Sequence, residues 1–173
     1  FNNESVDNYY ANSEINELIK MLDEVHYAEY LNADCVRNKP EYITKLLFHD
    51  NPFSGRGFSL QTIEHLNELI QKIQKIEPLL EKINFITEFE KDIKLFAEQT
   101  VLFKHKIELH LAIRQNQGFA VIKKLSEDFI IGLRRWFADY MKSWLETCQP
   151  MGLYFHIHFM KKIEEDIIYS LKM

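Results

Sequence analysis

Three histidines in this chain are each followed three residues later by a glutamate: His26 and Glu29, His65 and Glu68, His105 and Glu108. Residues three apart share a helix face, so each pair can turn an imidazole and a carboxylate toward one metal ion. Carboxylate-bridged di-iron bundles use the opposite order, Glu-x-x-His, with further glutamates from other helices. Reversing the order changes how the two side chains converge. Paired His and Glu on a solvated helix face explains the same spacing, so a His/carboxylate metal bundle is the third reading and no cofactor is expected. His105 and His110 flank Glu108, while His156 and His158 share a face only on a strand and diverge by about 200° on a helix. Both clusters are expected to be helix-end or surface histidines.

Nucleophilic and nucleotide chemistry find no signature. There is no Gly-x-Ser-x-Gly elbow, Walker loop or dinucleotide fingerprint, and Gly55-Arg56-Gly57 is a glycine pair without the strand such motifs require. Cys35 and Cys148 lie far apart in sequence, as buried reduced thiols do, with a single bridge as the alternative.

Two other groups of residues suit binding. Trp136, Phe137, Tyr140, Met141 and Trp144 fall within three turns of one predicted helix. Phe137 and Met141 lie off its inner line, so the apolar arc is wider than one packing interface needs. That width suggests a hot spot for a protein partner or a second copy of the chain. Ten cations between residues 104 and 162 are also spread over the last three predicted helices, among them Lys104, Lys106, Lys123, Lys124, Arg134, Arg135 and Lys142. Aligned across neighbouring helices, Lys123, Lys124, Arg134, Arg135 and Lys142 form a stripe for nucleic-acid phosphates. The competing reading is that these lysines solubilise otherwise apolar helices.

The charge is unevenly placed. Residues 1–100 hold 10 Lys and Arg against 18 Asp and Glu, a net of −8, whereas residues 101–173 hold 11 against 8, a net of +3. An acidic whole does not attract polyanions, but the basic half permits local docking. The expected function is therefore a non-catalytic helical module that binds a protein partner or itself, with a nucleic-acid-associated protein as the alternative.

The elements that position these residues read as helices. Five glycines and four prolines in 173 residues leave little material for the turns of an all-β fold. Residues 1–12 read as a polar lead-in or linker, and 13–173 as a single all-α domain, a bundle of about six helices, several of them long. Ile15, Leu18, Ile19, Leu22 and Val25 mark a first helix from Ser13 to about Leu31. A short second helix runs from Pro40 to near His49, and the stretch from Asn51 to Gly57 is a loop. A third starts near Leu60 along Ile63, Leu66, Ile70 and Ile73, and Pro78 interrupts it. Thr87 and Glu90 form a capping box that opens a long helix with inner stripe Phe89, Ile93, Phe96, Thr100, Phe103 and Ile107. Another spans 119–147 along Ile122, Leu125, Phe129, Leu133, Trp136, Tyr140 and Trp144. The last is expected from about His156, with a strand over 153–159 as the alternative. The run 149–160 carries no formally charged residue but is too short to span a bilayer. A cytoplasmic location is the default reading and a secreted mature form the alternative.

Overall fold

The computed structural model describes residues 13–28, 42–147 and 150–172. Among them the chain forms eight helical segments and no strand: α1 Ser13–Ala28, α2 Tyr42–Phe48, α3 Arg56–Ser59, α4 Ile63–Gln74, α5 Glu77–Lys82, α6 Glu88–Arg114, α7 Phe119–Thr147 and α8 Pro150–Ser170. This is the expected all-α bundle. The lead-in 1–12, Pro40, Glu29, Cys35, Cys148 and the last turn expected of the first helix lie outside the described residues.

Helix α6 is the axis of the assembly. Its 27 residues run about 40 Å at 1.5 Å per residue, and it packs against α1, α2, α4, α5 and α7. Helix α8 closes the far side against α7 and α2. Such a central helix cannot be amphipathic along its whole length. From Thr100 onward Leu102, Phe103, Ile107, Leu109, Leu111 and Ala112 are buried around the full cylinder. Before that point one face is open. The expected inner stripe is therefore corrected at two positions: Phe89 is 53% exposed and Phe96 40% exposed.

The helix ends follow local chemistry. Thr87 accepts from the Glu90 amide at 3.2 Å while the Glu90 carboxylate accepts from Thr87 N–H at 2.8 Å, so the capping box stands as read. Thr62 accepts from the His65 amide at 3.1 Å, which moves the start of the third expected helix from Leu60 to Ile63. Pro78 sits in the first turn of α5 and restarts the helix rather than bending α4, because a proline there gives up no intrahelical bond. At the other end of α6, Asn116 takes φ 52°. The Gln117 amide reaches back to Ala112 O and the Asn116 amide to Ile113 O, both near 3 Å. That pattern is a Schellman close with Asn in the left-handed position. Helix α8 starts at Pro150, six residues before the expected His156, and the strand alternative is not adopted. A proline at a helix start is preorganised by its fixed φ.

Candidate functional site

An aromatic cleft of about 260 Å³ opens where α2, α6, α7 and α8 meet. Helix α7 supplies Trp136, Phe137 and Tyr140, and α8 supplies His156, Phe159 and Met160. The end of α2 adds Phe48, the turn after it His49, and α6 adds Gln99. No Asp, Glu, Lys or Arg lines it among the described residues. The walls are rings in contact. Trp136 stacks on Tyr140 at 5.1 Å and meets Phe48 at 5.4 Å, and His49 stands edge-on to Phe159 at 4.7 Å. These centroid distances fall in the range aromatic pairs prefer. The Trp136 indole N–H donates to Leu95 O at 2.9 Å, which locks that ring against α6 and satisfies its one polar atom.

Three of the five aromatic-stripe residues, Trp136, Phe137 and Tyr140, line this cleft. Trp144 packs at its edge on His156 at 4.8 Å, and Met141 is half-buried but outside the lining. Phe48, His49, Gln99, Phe159 and Met160 carried no local signal, since each comes from a distant segment. His156 stood out in the sequence only through its neighbour His158.

The wall formed by Phe48 and His49 is held from behind by α6. Lys106 is fully buried, and its Nζ donates to Leu47 O at 2.6 Å, to Leu46 O at 2.8 Å and to Asp50 O. An ammonium has three donors, and here each finds a carbonyl at the C-terminal, negative end of α2. The rings of Phe58 and Phe129 stand 5.7 and 6.0 Å from the same nitrogen. Burial pushes Lys106 down to about 7, opposed by the Asp50 and Asp166 carboxylates.

One and two turns further along the same face of α6, His110 and Arg114 continue the pattern. His110 Nδ1 bonds Pro52 O at 2.8 Å, and Arg114 donates to Gln61 O at 2.6 Å. A carbonyl only accepts, so His110 carries its proton on Nδ1, and its buried Nε2 meets no protein hydrogen-bond partner among the described residues. Lys106 and His110 are therefore not the surface groups expected; they staple the 46–61 segment to α6. His110 titrates below the usual imidazole range, chiefly through burial.

The same segment braces itself. Asp50 accepts from the Phe58 amide at 2.8 Å and from the Gly57 amide at 3.3 Å, at the start of α3. Asn51 Oδ1 accepts from the Phe53 amide at 2.8 Å, and the Gly55 amide donates to Asn51 O at 2.6 Å. The expected loop is thus a fixed turn leading into α3.

Among the described residues the histidines and glutamates of these pairs do not gather around one point. His26 is largely buried, stacked on Phe96 at 4.5 Å and bonded through Nε2 to Thr100 Oγ1 at 3.0 Å. Burial lowers it to about 4. Its expected partner Glu29 lies outside the described residues. His65 sits half-buried on α4 and Glu68 is exposed. His105 is half-buried and lowered, by burial first and then by Lys104, whereas Glu108 faces Lys104 at 4.0 Å. Among the described residues no three His, Cys, Asp or Glu side chains gather as a metal site.

The basic residues are dispersed in a similar way. Arg134 forks onto Glu164, Lys123 lies 3.8 Å from Glu127, and Lys124 is exposed. Arg135 and Lys142 line grooves that they share with Asp139. Lys104 is buried against Glu77 at 2.6 Å. Four of the five cations of the expected stripe, Lys123, Arg134, Arg135 and Lys142, thus sit among carboxylates. No helix of the described residues is long and apolar enough to cross a membrane. No protein-family model, curated protein or solved structure matches this chain.

Proposed function

We propose that this protein is a non-catalytic helical binding module, and that the aromatic cleft between α2, α7 and α8 receives an anchor side chain of a protein partner. The observation that carries this reading is the lining itself: five aromatic rings and two imidazoles, with no Asp, Glu, Lys or Arg among the described residues, around about 260 Å³. That volume falls below the roughly 300–1,000 Å³ usual for small-molecule sites. It suits a single aromatic or aliphatic side chain, the group that dominates the energetics of protein interfaces. A Trp or Phe side chain seated there would bury roughly 150–250 Å².

The test is site-specific photo-crosslinking in the source cells. A benzophenone amino acid replaces Phe159 at the cleft or, as control, Ile131, which is 64% exposed. A discrete adduct is expected from position 159 and not from 131, and Phe137→Glu should abolish it while the far-UV circular dichroism stays helical. An adduct of twice the chain mass makes the partner a second copy. Identical adducts from both positions, or none from 159, would refute the reading.

A further inference from the structure

A second concavity lies between α5, α6 and α7, along the side of α7 that carries Asp139. It consists of two lobes of about 530 Å³ each, joined at Leu80, Glu98 and Asp139. On α7 it follows one face from Gly132 to Glu146, about 21 Å at 1.5 Å per residue. The floor is apolar, from Leu80, Ile83, Phe85, Leu95 and Trp136. The rims are acidic. One lobe carries Glu77, Glu81, Glu98 and Asp139, and the other adds Glu88, Asp92 and Glu146.

Against these seven carboxylates stand four lining cations, Lys91, Lys94, Arg135 and Lys142. Lys91 is paired with Glu88 at 2.5 Å and Lys94 with Glu98 at 3.6 Å, and buried Lys104 meets Glu77 from beneath. That leaves Glu81, Asp92, Asp139 and Glu146 against Arg135 and Lys142. An apolar floor from α5 and α6, beside an α7 wall as long as a four-turn helix and under a rim with excess negative charge, matches an amphipathic helix with a cationic face.

The geometry points to this groove as the docking site for a basic amphipathic helix of a partner protein. The apolar stripe of that helix lies on Leu80, Ile83, Leu95 and Trp136, and its lysines or arginines reach the α7 and α5 carboxylates. The site is separate from the aromatic cleft, although Trp136 lines both.

Fluorescence anisotropy of the full chain with labelled synthetic helices of about 14 residues tests this. One peptide carries leucines at three- and four-residue steps with lysines elsewhere. A second scrambles the same composition, and a third replaces lysine with glutamate. The first should bind at least about ten-fold more tightly than the others and weaken as salt rises to about 0.5 M. The double substitution Glu98→Lys and Asp139→Lys, both on solvent-facing rims, should lower its affinity by about ten-fold or more, whereas Phe159→Glu should leave it unchanged. Equal binding of the scrambled peptide, no binding at all, or sensitivity to Phe159→Glu in place of the rim would overturn the assignment. The last outcome would place the peptide in the aromatic cleft instead.

Discussion

The Lys106 ammonium donates to the backbone carbonyl of Asp50 while the Asp50 carboxylate caps the amides of Gly57 and Phe58. One residue thus ties the end of α2 to the long central helix with its main chain and opens α3 with its side chain. Phe48 and His49 lie between the carbonyls that Lys106 holds, so the shape of the aromatic cleft depends on a lysine that does not line it.

Replacing Lys106 with Met keeps the length of the side chain but leaves three buried or half-buried carbonyls without a donor. The loss should be roughly 2 kcal/mol of folding stability, the usual scale for an unsatisfied buried polar group. Urea denaturation followed by circular dichroism measures it. Tryptophan emission should shift red as the cleft loosens, since both tryptophans of the chain sit at or beside it.

Acid should destabilise the fold through its buried histidines. His26 titrates near 4 in the folded chain against 6.5 when unfolded. Between these values the unfolded state binds more protons, so the His26 contribution makes stability rise with pH from 4 to 6.5 and is constant above. A shift of that size is worth roughly 3 kcal/mol across the window. His105 and His110 are lowered too and act in the same direction. His26→Gln can retain a bond to Thr100 and should flatten part of the slope in a melting-temperature series from pH 4 to 7. An unchanged slope in that variant would remove His26 as its source.

Alkali should act in the opposite sense from the common expectation for lysine. Lys106 is lowered from 10.5 to about 7 by burial. The unfolded chain therefore binds the extra proton between those limits, and this residue makes stability rise with pH from about 7 to 10.5. Lys106→Met should lack that rise in denaturation midpoints measured from pH 7 to 10, relative to the unsubstituted chain.

Gly55 should not tolerate a side chain. A Cβ there would run into the Asp50 carboxylate and the backbone oxygen of Asn51, and a backbone atom cannot swing aside. Gly55→Ala should cost about 1–3 kcal/mol by overpacking. Gly118, whose Cβ would meet nothing within 4 Å, is the control and should accept Ala with little loss. Thermal melts of the two variants decide the point.

Asn116 offers a gain instead. It holds the left-handed position that closes α6, where glycine carries no steric penalty. Asn116→Gly should hold or slightly raise the melting temperature, and Asn116→Val should lower it by several degrees.

Local chemistry in the chain already determined most helices. Thr87 and Glu90 announce the start of α6, and the three- and four-residue spacing from Phe129 through Leu133 and Trp136 announces the buried face of α7. These features depend on residues within a turn or two of each other, where backbone geometry alone decides the outcome. The same reasoning picked out Trp136, Phe137 and Tyr140, because a wide apolar arc is a property of one helix.

Tertiary structure decided the rest. Whether Phe96 is open and Lys106 enclosed depends on how many neighbours surround each stretch of α6, and periodicity along one helix holds no count of the helices packed around it. Phe48, Gln99 and Phe159 become one wall only when α2, α6 and α8 meet, over separations of about 50 and 60 residues along the chain. Lys106 looked like one more solubilising cation, since the carbonyls it satisfies belong to a helix end some 60 residues earlier. A buried charge is retained where its partners are supplied by the fold, and those partners are backbone atoms that no side-chain pattern encodes.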